Sequence, residues 1–494
     1  LLREKGVNPQ YFKEIKQSLS NSFRFKEKTN DYSYAMKIAA DLQHVPAEYV
    51  LSSAYEYQRF NPQVIQVVLD QLTLDNARIF YIDKQQTGEQ NMEYFAGKYT
   101  VNDINLELEQ KWQKLSSKFP LALPRANDLM PASFDLVTTN ITDKPEQLVD
   151  EEGHTVHLGH SALFKQPKGL ITLDLNSGLT KSSAKNHVLA YLLDRGLGQQ
   201  LTELQSEAGA AGMGLHASLS NGLSLTVSGF TDKQGVLLAS ALNQIVGYEM
   251  SESELTNLKA SFKSDIQSSN RQILVNQLFF KFSQVVSLDE FSDAALLAEV
   301  DEILLADIKV FRKQLLTQAN FRVFAFGNYS DKKVKQLSDL VLDQLPEERL
   351  VSPMYQTPLL QSEAGKVFSW QQDTEMTDIG LIDAYLAPRN DIDLAAARLL
   401  TKIIRPALYK QIRTEEQLAY DVGFDGQVFR EQMLVAYYIQ SPAKGLADVG
   451  ERIALFRKGF SKQLAAVTSQ EFATIKNSLL ITLTQPAKNL SEEM

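Results

Sequence analysis

The run DIDLAAARLLTKIIRPALYKQIRTEEQLAYDVGFDGQVFREQMLVAYY, Asp391 to Tyr438, decides how the chain is read. Leu394, Ala397, Leu400, Ile404 and Leu408 recur at helical spacing, so its first part is a helix with one apolar face, which Asp391 and Asp393 are placed to cap. Pro406 removes a backbone donor and predicts a kink or break, with a short second helix over Gln411 to Gln417. After Ala419 two alternating runs read as strands. Arg413 and Tyr420 flank the corner between helix and strand. By physics alone Arg413 pairs with Glu416, three residues on along an exposed helical face, while Tyr420 starts a half-buried strand.

The same order of elements occurs earlier. Residues 146–350 read as a complete α+β domain, with strands at His160 to Gln166 and Leu170 to Leu175 expected to pair. A helix through Val188, Leu189, Leu192 and Leu193 continues past Gly196 and Gly198 to Ala208, and a hairpin of Leu215 to Leu219 and Leu223 to Gly229 turns at Asn221-Gly222. Ser251 and Glu254 form a capping box for LTNLKASFKSDI, and a last helix through Val310, Leu315 and Leu316 precedes a strand at Asn320 to Phe324.

Residues 351–494 repeat this order. Phe368 to Gln372 and Gly380 to Leu386 stand where Phe164 to Lys168 and Leu170 to Leu175 stood, and the helix from Asp391 matches the one from Ser183. EAGA at Glu207 falls opposite QLAY at Gln417, an offset of 210; Thr468 with Glu471 repeats the capping box of Ser251 with Glu254, an offset of 217. A period near 210 residues means two copies of one domain. Position 494 falls opposite about position 277, and the earlier copy runs on to Phe326. The second copy is therefore expected to lack about 50 residues and to expose an unpaired strand edge.

Residues 1–110 read as the end of a further copy, with an amphipathic helix through Ile65, Val68, Leu69 and Leu72 and a strand at Asn76 to Ile82. Residues 111–145 carry FPLALPRANDLMPASF, with Pro120, Pro124 and Pro131, and suit a linker. The chain starts LLREKG without Met, so its native N-terminus is expected upstream.

A chain of 494 residues with 44% hydrophobic and 22% charged residues is globular and long enough for several domains. Its net charge of −10 argues against a general nucleic-acid binder, because phosphate contacts need a basic face. There is no Cys, which excludes disulfides and thiolate metal sites, and no apolar run reaches membrane-spanning length. No G-x-S-x-G elbow is present, and Gly209, Gly212 and Gly214 lack phosphate-loop order and suit a tight turn at a helix end.

The six histidines are His44, His154, His157, His160, His187 and His216, and none lies in H-x-x-E-H or H-E-x-x-H. His154, His157 and His160 enter a predicted strand, where residues three apart point to opposite faces and only His154 and His160 share a side. No carboxylate follows at ligand spacing within that strand, so the segment reads as a solvated loop and no residue is assigned to a metal. His44 and Glu48 read as structural.

RTEEQLAY, with the preceding Pro406 and Leu408 and the following YYIQSP, resembles the C-terminal signature of the insulinase and pitrilysin family of zinc metallopeptidases. FRFKEK at Phe23 to Lys28 and LPRANDLMPASF at Leu123 to Phe134 resemble that family in the same order. The resemblance implies two copies of its metallopeptidase roll, a mixed sheet covered by helices, after the end of a third. It also implies that Arg413 and Tyr420 reach across a closed chamber to bind substrate and stabilise the transition state. The family's zinc sits on an H-x-x-E-H helix that this chain lacks. The chain is then the C-terminal portion of a four-domain single-chain member, with zinc in the full-length protein and no activity alone.

The implied partners are peptide substrates and the N-terminal half of the same protein; a homodimer is compatible with the resemblance. Neither nucleic acid nor membrane is implied, and the periplasm follows from the family's bacterial members. The alternative is a non-catalytic partner or peptide-binding subunit of a two-chain peptidase.

Overall fold

Leu170 to Asn176 alternates inward and outward side chains, and that period of two makes it the inner strand of a sheet. The computed structural model describes residues 2–494 apart from 86–87, 105, 117, 119–121, 139–140, 143, 270, 348–349, 362–364 and 443–444. Pro120 of the proline-containing segment lies outside the described residues. The chain divides into residues 1–132 with 210–212, and residues 133–209 with 213–494.

The first unit holds helices α1 (Leu2–Lys5), α2 (Pro9–Arg24), α3 (Asp31–Asp41), α4 (Pro62–Gln71) and α5 (Leu106–Ser116) and the short antiparallel pair β1 (Gln90–Asn91) and β2 (Lys98–Tyr99). Asn8, Asn30 and Asn61 cap α2, α3 and α4 by accepting from first-turn N–H groups. The expected strand at Asn76 to Ile82 does not form. Leu74–Asn76 is a 3-10 turn, and Phe80, Tyr81 and Ile82 stand in solvent, Ile82 at 96% exposure. β-branched and aromatic content extends a chain, but a strand also needs a neighbour, and no described residue pairs with this segment.

Among the described residues the second unit contains two sheets. The larger has strand order β3-β4-β8-β5-β7-β6, built from β3 (Glu146–Glu151), β4 (His154–Gly159), β5 (Lys168–Asn176), β6 (Met213–Leu219), β7 (Gly222–Phe230) and β8 (Asn320–Gly327). All its pairs are antiparallel except β4 with β8. Its helices are α6 (Ala184–Gln200), α7 (Thr202–Ala210), α8 (Gln234–Gly247), α9 (Glu252–Ser269), α10 (Leu274–Val286), α11 (Asp293–Val300), α12 (Leu305–Thr317) and α13 (Asp331–Gln344). Val188, Leu192 and Leu193 of α6 and Leu237 and Leu238 of α8 are buried, as are Ile171, Val227 and Val323 of the sheet.

The hairpin turns where expected. Gly222 has φ +108°, and a Cβ there would strike the Leu175 carbonyl oxygen, so only glycine fits. The Ser251 and Glu254 capping box is also formed. The strand expected at His160 to Gln166 is instead a loop, and β5 pairs with β7 and β8. The N–H groups of Ala162 and Leu163 donate to Glu493, and that of Phe164 to Ser161 Oγ at 2.7 Å, so they are not offered to a sheet.

The smaller sheet has order β10-β11-β9, from β9 (Ile379–Pro388), β10 (Asp421–Phe429) and β11 (Gln432–Ser441), all antiparallel. It repeats the order β6-β7-β5 of the larger sheet. Its helices are α14 (Asp391–Leu408), α15 (Leu446–Ala465), α16 (Ser469–Leu483) and α17 (Leu490–Glu493). Leu408, Ile412, Phe424, Ile439, Val449, Ile453 and Phe456 form its core. Thr468 and Glu471 cap α16 reciprocally, as the repeat predicts.

Phe368 to Gln372, expected as a strand, is exposed and unpaired. In the larger sheet β8 lies between β4 and β5, whereas among the described residues β9 pairs only with β11. Among the described residues no strand lies beside 368–372.

α10 of the first copy packs on the second sheet. Leu274 and Leu278 press against Gly380, Phe279 meets Tyr438 edge to face at 5.4 Å, and Phe282 meets Phe429 at 5.5 Å.

Candidate functional site

The corner after α14 is built by a helix that changes pitch. Asn390, one residue before the expected caps, accepts from the Asp393 N–H at 2.8 Å, which leaves Asp391 and Asp393 in the first turn, where their charge suits the helix dipole. Pro406 does not break α14. The helix runs through it to Leu408, and Tyr409 donates back to the carbonyls of Arg405 and Pro406. The chain then widens into a π turn over Tyr409–Glu415, in place of the expected helix over Gln411 to Gln417. Leu408 and Ile412 anchor the turn in the core, and Gln417 reverses the chain at φ +50°. The N–H of Leu418 returns to the Ile412 carbonyl at 3.0 Å, and the Leu418 carbonyl accepts from buried Ser441 Oγ at 2.6 Å.

This path brings Arg413 and Tyr420 together. Arg413 lies over the Tyr409 ring, 5.2 Å from its centroid, and donates through Nη1 to the Tyr420 carbonyl. The expected pair of Arg413 with Glu416 is replaced. Glu416 takes Arg452 Nε at 2.6 Å on one oxygen and Arg452 Nη2 on the other, and it also accepts from Gln411. The π turn takes residues 413 and 416 out of the helical register that would have paired them. The Glu416 bond raises the Arg452 guanidinium above its ordinary value.

Tyr420 is 46% exposed, and its hydroxyl donates to Asp378 Oδ2. Gln440, 2% exposed on β11, donates through Nε2 to the same Asp378 oxygen at 2.7 Å and to Tyr420 Oη at 2.6 Å. Its Oε1 accepts from the Val275 N–H at 3.3 Å. Asp378 and Gln440 escaped the sequence reading. Gln440 lies in YYIQSP, where alternation puts it on the same face as Tyr438, but Asp378 lies outside any periodic run and gave no signal.

Of the three closely spaced histidines, His154 and His160 serve separate partners. His154 contacts Ser338 Oγ at 2.9 Å and stacks on Phe321, and His160 Nδ1 faces the Gly327 carbonyl at 3.1 Å. His154 and His157 lie within β4, and His160 follows it in the loop. Among the described residues no group of three or more His, Asp or Glu could hold a metal ion. His187 of α6 packs against Phe291, and burial, then nearby Lys181, pull its imidazole below the usual range.

The family description "Middle or third domain of peptidase_M16" matches residues 23–299, more than half of the chain. The chain belongs to the peptidase M16 family. A second family description, "PQQ synthase PqqF-like, C-terminal lobe domain 4", matches residues 399–494 and so takes in the corner. Over its full length this M16 chain is 26% identical to Protease 3 of Salmonella typhimurium, of which it covers 52%. It is 24% identical to the insulin-degrading enzyme of Homo sapiens, covering 49%. The crystal structure of pitrilysin superposes on all of the chain with a TM-score of 0.76 at 26% identity, over 53% of the pitrilysin chain. The α+β fold is thus that of an M16 protein, and the chain spans about half the length of the curated relatives it matches. Among the described residues no helix is long and apolar enough to cross a membrane.

Proposed function

We propose that this chain is the C-terminal half of a zinc metalloendopeptidase that degrades short peptides in a closed chamber, and that it supplies Tyr420 and Arg413 to the substrate. One observation carries the reading: the π turn gathers an exposed phenol and an exposed guanidinium at one corner beside the smaller sheet. Protease 3, a protease by name, and insulin-degrading enzyme, which by name degrades insulin, support peptides as the substrate class. On this reading residues 1–110 end the family's second domain, 111–145 link the halves, 146–350 form the third domain and 351–494 belong to the fourth. The compartment would be the periplasm, and a homodimer would be a compatible assembly.

Amide hydrolysis builds negative charge on the former carbonyl oxygen, and a phenol O–H about 2.7–3.1 Å from that oxygen stabilises it. Tyr420 has the proton to give, and an incoming carbonyl oxygen would take the place Asp378 occupies as its acceptor. The planar guanidinium fork of Arg413 suits neighbouring peptide carbonyls. The residues described do not fit zinc, so the ion would be held by residues outside this chain.

The test is hydrolysis of a fluorogenic peptide by the 494-residue chain, alone and mixed with the separately expressed N-terminal half. The expected result is zinc-dependent cleavage only in the mixture, falling about 100-fold or more with Tyr420→Phe. Arg413→Ala is expected to raise KM more than it lowers kcat. Cleavage by the chain alone, or full activity of Tyr420→Phe, would overturn the proposal. A mixture that binds peptide without cutting it would favour a non-catalytic binding subunit.

A further inference from the structure

Tyr420 stands at the surface, where packing alone leaves a phenol free to rotate, yet its hydroxyl meets two partners at once. One is the Asp378 carboxylate, which only accepts. The other is the Gln440 amide, which has an oxygen at one end and two N–H groups at the other. Which end faces Tyr420 is decided by Val275. That residue is the second of α10, and its N–H is among the helix-terminal donors that have no acceptor within the helix.

With Gln440 Oε1 turned to Val275, Nε2 must turn to Asp378 and Tyr420, and every polar atom of the buried amide is satisfied. The flipped amide would set an oxygen against a carboxylate and an N–H against an N–H. Leaving such buried groups unsatisfied costs about 1–3 kcal/mol each.

We infer that Gln440 is a positioning residue, through which the Val275 N–H of the first copy holds the Tyr420 phenol of the second copy in its substrate-facing place. The inference rests on the reading of Tyr420 given above, but its geometry is measurable without it.

The experiment places 3-fluorotyrosine at position 420 of the 494-residue chain and records its fluorine resonance. Gln440→Met, which keeps length and loses the amide, is expected to displace or split the resonance. Val275→Pro removes the donor, which a first helical turn tolerates, and is expected to displace it in the same direction, whereas Val275→Ala, which trims the same buried side chain and keeps the N–H, is expected to leave it in place. An unmoved resonance in Gln440→Met, with the variant folded by circular dichroism, overturns the inference.

Kinetics of the two-half mixture give the second arm. Gln440→Met is expected to lower kcat on the order of 10- to 100-fold with KM within about twofold, and to cost nothing further in a Tyr420→Phe background. Independent losses in the two backgrounds also overturn it. If Tyr420→Phe alone costs nothing, the proposed function fails, and the fluorine resonance still decides whether Gln440 holds the ring.

Discussion

The two sheets of the second unit share an order of elements and differ in how deeply they bury their matching strands. β5 has β7 on one edge and β8 on the other, and its side chains at Ile171, Leu173 and Leu175 are buried. β9 has β11 on one edge and, among the described residues, no strand on the other; none of its side chains is fully buried. A strand's burial therefore comes from its neighbours as much as from its own sequence. The candidate site lies on the less buried sheet, where local opening costs less and substrate-facing groups are commonly found.

Truncations inside the two cores test whether the difference is confined to the strands. Leu192 of α6 and Leu408 of α14 are both 0% exposed. Leu192→Ala and Leu408→Ala are each expected to cost about 2–5 kcal/mol in urea unfolding. A far smaller loss for Leu408→Ala would mean that the second core is loose throughout. Hydrogen exchange should then separate the strands themselves, with outward amides of β9 exchanging faster than those of β5; equal protection would break the comparison.

Acid should act on the larger sheet first. His187 titrates below 6.5 when folded, so the unfolded chain takes up its proton first. Its contribution is fully present above pH 6.5 and declines as pH falls below that value. His187→Asn is expected to flatten this slope, measured as the melting temperature of the chain across the acid range.

Smaller effects belong to the corner. Glu416→Ala removes the two-pronged bond to Arg452 and is expected to cost about 1 kcal/mol, because the pair is partly exposed. Gln417→Gly should stabilise by up to about 1 kcal/mol, the relief of about 1–2 kcal/mol of left-handed strain offset by about 0.5–1 kcal/mol of glycine backbone entropy, read as a slightly higher urea midpoint.

Features set by local chemistry were legible in the sequence. Asn221-Gly222, the two capping boxes and the apolar stripe of α14 each depend on a few adjacent residues, and each stands where expected. Elements that depend on distant partners were not. Asn76 to Ile82 and Phe368 to Gln372 have strand composition with no strand beside them among the described residues, and within 160–166 the N–H groups of Ala162, Leu163 and Phe164 go to Glu493 and Ser161. The π turn was hidden because no residue type specifies it. Arg413 and Tyr420 were found through family resemblance, whereas Asp378 and Gln440 join them only through the folded chain.

α10 touches the hairpin of β10 and β11 at both ends, at Gln440 through Val275 and at the tip through Phe282 and Ser283, which accepts from Arg430. The peptide connection from 351 to 378 is therefore not what keeps the copies joined. A protease nick at exposed Val367 or Phe368 should leave two fragments that elute from a sizing column as one particle.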